Sequence, residues 1–113
     1  MKHEDRIRLQ HMLDAASDAV AFLGKLNPEG VEDNRLVSNA IVRSIEIVGE
    51  AASHIPDEFR ISHREIPWQQ IIGMRNRVVH AYFDIDFELV VSTVKYDLPP
   101  LIERLKKIIS EYK

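Results

Sequence analysis

Arg75, Asn76, Arg77, His80 and Tyr82 fall within one short run, Arg75-Asn76-Arg77-Val78-Val79-His80-Ala81-Tyr82. Arginine offers a rigid fork of donors matched to phosphate oxygens, and histidine exchanges a proton near neutral pH. Phosphodiester chemistry is what such a set can do. Cleaving RNA without a metal requires a base for the 2′-hydroxyl, an acid for the leaving 5′-oxygen and donors for the charge that builds on phosphorus. In that scheme His80 is the acid or base, Arg75 stabilises the phosphorane, and Asn76 orients a non-bridging oxygen or the 2′-hydroxyl, with Arg77 as a weaker helper. The plainer alternative is that Arg75 and Arg77 solvate an exposed helix face while His80 satisfies carbonyls of the last turn, where a cation is favoured.

These residues depend on the element that carries them. Trp68, Ile71, Ile72, Arg75 and Val79 share one side of a predicted helix that starts at Pro67 and ends near Ala81 to Phe83, ahead of a cap region at Asp84-Ile85-Asp86. At about 100° per residue, Asn76 and His80 lie one turn apart and share a pocket. Arg75 is about 140° from His80 and joins it by wrapping its long side chain or by a loosening of the last turn.

Other residues could contribute. Glu46, Glu50 and His54 recur every fourth residue and line one face of a helix, a pattern that could suggest metal ligands. A carboxylate-bridged bundle repeats Glu-x-x-His ligands on further helices, and that spacing is missing, so no metal or other cofactor is expected. Glu46 and Glu50 are expected to support the site by pairing with Arg43 or with the motif. Trp68 reads as a core anchor, and Lys106-Lys107 as a solvated face.

The remaining elements are helical too. Leu9, Met12, Leu13, Ala16, Ala19, Val20 and Leu23 mark a helix over residues 4 to 24, interrupted from Gly24 to Gly30. Asp33 or Asn34 caps a second helix that runs to the Pro56 stop, with Val37, Ile41, Ile45, Val48 and Ala52 in its stripe. Residues 56 to 66 read as a connector with one short helical turn. From Phe87 an apolar stripe continues to Ile109 through Pro99-Pro100, and because those prolines lack N–H donors Asp97 is expected to cap a new helix. The fold class is therefore all-α, an antiparallel up-and-down bundle of four to five helices forming one domain over residues 1–113, with a face left over that could pair between protomers.

The composition agrees. A chain of 113 residues can bury a core without staples, and with no cysteine there is neither a disulfide nor a thiolate nucleophile. No apolar run is long enough for a signal peptide or a membrane span, so a cytoplasmic protein with no membrane partner is expected. The net charge of −3, from 15 Lys+Arg and 18 Asp+Glu, is not the footprint of a protein that coats nucleic acid. A basic face can still be assembled locally from Arg43, Arg75, Arg77 and His80.

The stretch from Ile66 to Phe83, with Asn39, Ala40, Arg43, Ser44, Ile45, Glu46, Gly49, Glu50 and Ala51 upstream and Asp86 and Leu98-Pro99-Pro100-Leu101 downstream, resembles the HepT-like branch of the HEPN superfamily over most of the chain. The resemblance implies a metal-independent endoribonuclease toxin of a two-gene toxin–antitoxin system, its arginine, four intervening residues and histidine falling on Arg75 and His80, and its polar position on Asn76. It implies a homodimer in which two motifs face one cleft, with RNA rather than DNA as the nucleic acid partner. It also implies an antitoxin, a small MNT-type nucleotidyltransferase that uses ATP and magnesium and transfers AMP to the tyrosine two residues after the histidine, here Tyr82. Bulk and phosphate charge at that position would block an RNA backbone. A reading of another class is a catalytically silent bundle dimer that holds a nucleotide or a nucleotidyltransferase through the same motif. A third is a structural homodimer with no ligand.

Overall fold

The computed structural model describes residues 2–80 and 84–112. The chain is all-α. Helix α1 (His3–Leu23) packs along α3 (Arg35–Ser53) and α8 (Leu98–Glu111). Arg8, near the start of α1, donates to the carbonyl of His54 at the end of α3, so these two helices run antiparallel. Lys2 and Asp5 share a groove with Tyr112, which sets α8 antiparallel to α1 as well. The core between them is continuous and aliphatic, with Leu9, Met12, Ile41, Ile45, Leu98 and Leu105 shut off from solvent.

The first two long helices follow the apolar spacing closely. Asn34 is the cap of α3, its side-chain oxygen accepting from the N–H of Val37 at 3.1 Å. The predicted interruption from Gly24 to Gly30 contains a short helix as well, α2 (Pro28–Asp33). Asn27 Oδ1 accepts from Gly30 N at 2.8 Å and Pro28 occupies the first turn, while a single buried residue, Val31, anchors it. One apolar residue is too little periodicity to see in sequence. The connector holds the expected turn as α4 (Asp57–Ser62), from which Arg60 donates to the carbonyls of Ala52 and Ser53 at the end of α3.

Two expectations are corrected. The helix predicted from Pro67 to near Ala81 is two short ones, α5 (Trp68–Ile72) and α6 (Met74–Val78), which meet at Gly73. It ends early because Val79 turns extended, at φ −120 and ψ 118, and pairs with Ile85 in an isolated antiparallel bridge. Adjacent β-branched valines lose little in that conformation. The second correction concerns Asp97. Its backbone stays helical and its side chain makes no cap, because α7 (Phe87–Ser92) runs into α8 through one π-helical turn, Thr93–Asp97. There Leu98 N–H reaches back five residues to the carbonyl of Thr93, and this wider turn absorbs the missing donors of Pro99 and Pro100.

Helix α5 lies on α3 at backbone distance. A Cβ on Gly49 would sit 3.3 Å from the carbonyl oxygens of both Ile71 and Ile72. Trp68 anchors the same element, buried and donating from its indole N–H to the carbonyl of His63 at 3.0 Å. Gly49→Ala therefore forces two carbonyls to shift, and we expect a loss of about 1–3 kcal/mol, read as a fall of several degrees in the melting temperature. An unchanged melting temperature would mean that the helices separate at no cost.

Candidate active site

Helix α3 and helix α6 bring four of the expected residues together. Glu46, on α3, receives Arg43 on one carboxylate oxygen and faces Arg75 Nε with the other at 3.6 Å. Arg75 Nη1 in turn donates to Asn76 Oδ1 at 3.3 Å. Among the described residues Arg75 Nε is buried without a hydrogen-bond partner, since 3.6 Å is too long for one. The guanidinium is thus held in place with most of its five donors unused. With Arg75 and Glu46 each 34 % exposed, the pair adds little to stability, and its effect is to aim the side chain.

His80 stands in a different setting from the one its spacing suggested. The chain leaves the helix at Val79, so the one-turn relation between Asn76 and His80 does not form. Instead two main-chain hydrogen bonds join residues 78–80 to 84–86: His80 N–H donates to the carbonyl of Asp84 at 2.7 Å, and Asp86 N–H to that of Val78 at 2.8 Å. The imidazole is exposed, with Nε2 at 3.8 Å from Asp86 Oδ2. Asp86 uses its other oxygen to cap α7, accepting from Leu89 N–H at 3.1 Å. One carboxylate thereby fixes the start of α7 and stands beside the histidine.

Val79 and Ile85, the bridged pair, line a cleft of about 360 Å³ together with Arg75, Arg35, Asn39 and Phe87. His80 is not among the residues that line this cleft. Among the described residues no hydrogen bond or ion pair joins Arg75 to His80. The arginine group and the histidine group flank one bridge without meeting in a single chain.

The other candidates lie elsewhere. Arg77 turns to the opposite flank of α6, where Nη1 donates to the carbonyl of Gln70 at 2.9 Å. Glu50 and His54 line a groove between α1 and α3 with His11, so the repeat Glu46, Glu50, His54 does not converge on one point. Tyr82 lies outside the described residues. Sequence reasoning missed two residues. Asp86 was legible as a cap and not as the neighbour of His80. Arg35 carried a faint signal, since a cation in the first turn of a helix is electrostatically disfavoured.

The comparisons with known proteins agree with this architecture. Residues 12–108 match the family described as "Ribonuclease HepT-like". The chain belongs to the HepT-like ribonuclease family. It is 31 % identical over 105 residues to "Putative RNase TTE0752" of Caldanaerobacter subterraneus subsp. tengcongensis, covering 93 % of this chain and 94 % of the relative. It is 32 % identical over 108 residues to "Probable ribonuclease HepT" of Thermococcus cleftensis, covering 96 % and 98 %. Identity to "Putative RNase MJ1380" of Methanocaldococcus jannaschii is also 32 %, over 100 residues and 88 % and 92 % of the two chains. No solved structure matches the chain significantly. Among the described residues, no helix of this HepT-like protein is long and apolar enough to cross a membrane.

The double use of Asp86 has a direct test. Asparagine caps as well as aspartate does, and alanine does not. We expect Asp86→Ala to cost about 0.5–2 kcal/mol in denaturant unfolding and Asp86→Asn to leave stability nearly unchanged. Equal losses in both would show that the charge, rather than the cap, holds α7.

Proposed function

We propose that this protein is a metal-independent endoribonuclease, the toxin of a toxin–antitoxin pair, acting in the cytoplasm as a homodimer. The observation that carries the reading is an exposed histidine beside a carboxylate, adjoining an arginine whose donors are aimed by Glu46 and largely unspent. In the reaction the 2′-oxygen attacks phosphorus, a base takes its proton, and the 5′-oxygen leaves with a proton from an acid. The products are a 2′,3′-cyclic phosphate and a 5′-hydroxyl. His80 serves as the acid or base, and Asp86 stands beside its ring. Arg75 stabilises the phosphorane, Asn76 orients an oxygen, and Arg43 and Arg77 draw the RNA backbone in. Pairing two chains brings two motifs to one cleft, which supplies both an acid and a base and closes the gap between the arginine and histidine groups.

The experiment is cleavage of labelled RNA in excess EDTA. Wild type should yield cyclic-phosphate ends, and His80→Ala should lower the rate by about 10²–10⁴-fold. Arg75→Ala should lower it by about 10²–10³-fold. Metal-dependent cleavage, or cleavage indifferent to His80, would overturn the assignment.

Control of the toxin follows from the same motif. A nucleotidyltransferase antitoxin would catalyse attack of the Tyr82 hydroxyl on the α-phosphorus of ATP, with pyrophosphate leaving, and the added phosphate would bar RNA from the motif. Incubated with such an enzyme, ATP and magnesium, the protein should gain mass in steps of one AMP, and Tyr82→Phe should gain none and keep its nuclease activity. Labelling elsewhere, with Tyr82 untouched, would refute this control.

A second reading, a bundle dimer that binds a nucleotide or the nucleotidyltransferase without cleaving, is favoured by the lack of contact between Arg75 and His80 in one chain. It predicts no cleavage in the EDTA assay and partner binding that survives His80→Ala.

A further inference from the structure

We propose that the groove between α5–α6 and the π-helical turn is a second contact for single-stranded RNA, holding a phosphate and a stacked base away from the scissile position. The inference rests on the reading of this protein as an RNA-cleaving enzyme and extends it to a separate surface. The groove measures about 220 Å³, and Gln70, Arg77, Tyr96, Asp97 and Arg104 are among its walls.

Its chemistry is that of a nucleotide contact. Arg77 spends one donor on the carbonyl of Gln70 and keeps the rest, and among the described residues Arg104 makes no ion pair. Lys95 lies outside the lining, its ammonium 5.5 Å from the centroid of the Tyr96 ring. Against these stands the carboxylate of Asp97, so the groove remains locally positive on a chain whose net charge is −3. Tyr96 is 65 % exposed, so its ring is open to a base. Aromatic rings presented among cations are how sequence-tolerant single-strand sites hold successive bases.

The backbone explains why these groups stand together. The π turn forced by Pro99 and Pro100 holds Lys95, Tyr96 and Asp97, and such turns recur at functional sites. Across the groove, Arg75 and Arg77 are about 200° apart around α6, on opposite flanks of a helix about 10–12 Å across. Exposed Asn76 lies between them. A strand that crosses the free end of α6 would meet Arg75 on one side and this groove on the other. At about 220 Å³ the groove is too small for a protein helix to dock in.

The test is equilibrium binding of a labelled ten-nucleotide RNA to full-length His80→Ala protein by fluorescence anisotropy. That background binds without cleaving, so the result does not depend on the nuclease assay. Arg104→Ala should weaken binding about tenfold and reduce the slope of log affinity against log salt by about 0.7, the share of one phosphate on a single strand. Tyr96→Ala should weaken it about tenfold, and Tyr96→Phe should not, as expected for one base–aromatic stack. Lys107→Ala, which removes a cation elsewhere on α8, should leave the affinity within about twofold, given how little one distant charge contributes at physiological salt. Cleavage of a dinucleotide by otherwise native protein should be unchanged in Arg104→Ala, because so short a substrate cannot reach the groove. Affinity insensitive to Arg104 and Tyr96, or an equal loss in Lys107→Ala, would overturn the proposal. So would AMP binding as tightly as the RNA, which would mark a mononucleotide pocket. Arg104-dependent binding without any His80-dependent cleavage would leave this contact standing and overturn the nuclease reading alone.

Discussion

Two helices approach to carbonyl contact only where one of them presents no Cβ, and the contact of Gly49 with Ile71 and Ile72 is such a place. It fixes how α5 and α6 sit on α3. Glu46 lies one turn before Gly49, and Arg75 follows Ile72 by three residues, so the same contact brings a carboxylate on one helix within reach of a guanidinium on the other. The salt bridge is a result of that packing. At half-exposed positions an ion pair is worth too little to hold two helices, whereas two helices held by packing can hold an ion pair.

The fold was legible because its long helices bury an aliphatic stripe, and such stripes survive any detail of the turns. Asn34, the end of α3 and the helical character of the last third were all readable from spacing and cap chemistry. The features that were not readable share a cause. The short helix α2 rests on one buried valine, below the resolution of any periodicity. The break at Gly73 and the exit at Val79 depend on contacts with α3 and Ile85, which are distant in sequence or set by local pairing. Asp97 looked like a cap because prolines follow it, but a π turn solves the donor problem without leaving the helix.

The candidate site was legible as a set of residue types and not as a geometry. Arg75, Asn76, Glu46 and Arg43 do assemble, because they lie on two helices whose packing the sequence pattern fixes. The placement of His80 relied on a helical angle that ends two residues too soon. What replaces it is main-chain pairing of residues 78–80 with 84–86, in which the histidine's neighbour is Asp86, six residues further on. That pairing is set by an antiparallel bridge of one residue pair, a feature with almost no sequence signature.

The start of α1 and the end of α8 meet at one groove, where Lys2 and Asp5 lie near Tyr112 and His63. His63 Nε2 stands 3.4 Å from the Tyr112 hydroxyl, and Phe59 packs against both rings. Neither the arginine cluster nor the bridge that carries His80 touches this groove. The start of α1 and the end of α8 therefore lie side by side, away from the candidate site. Neighbouring helix ends of this kind let a bundle be reopened at another loop with its helix packing kept.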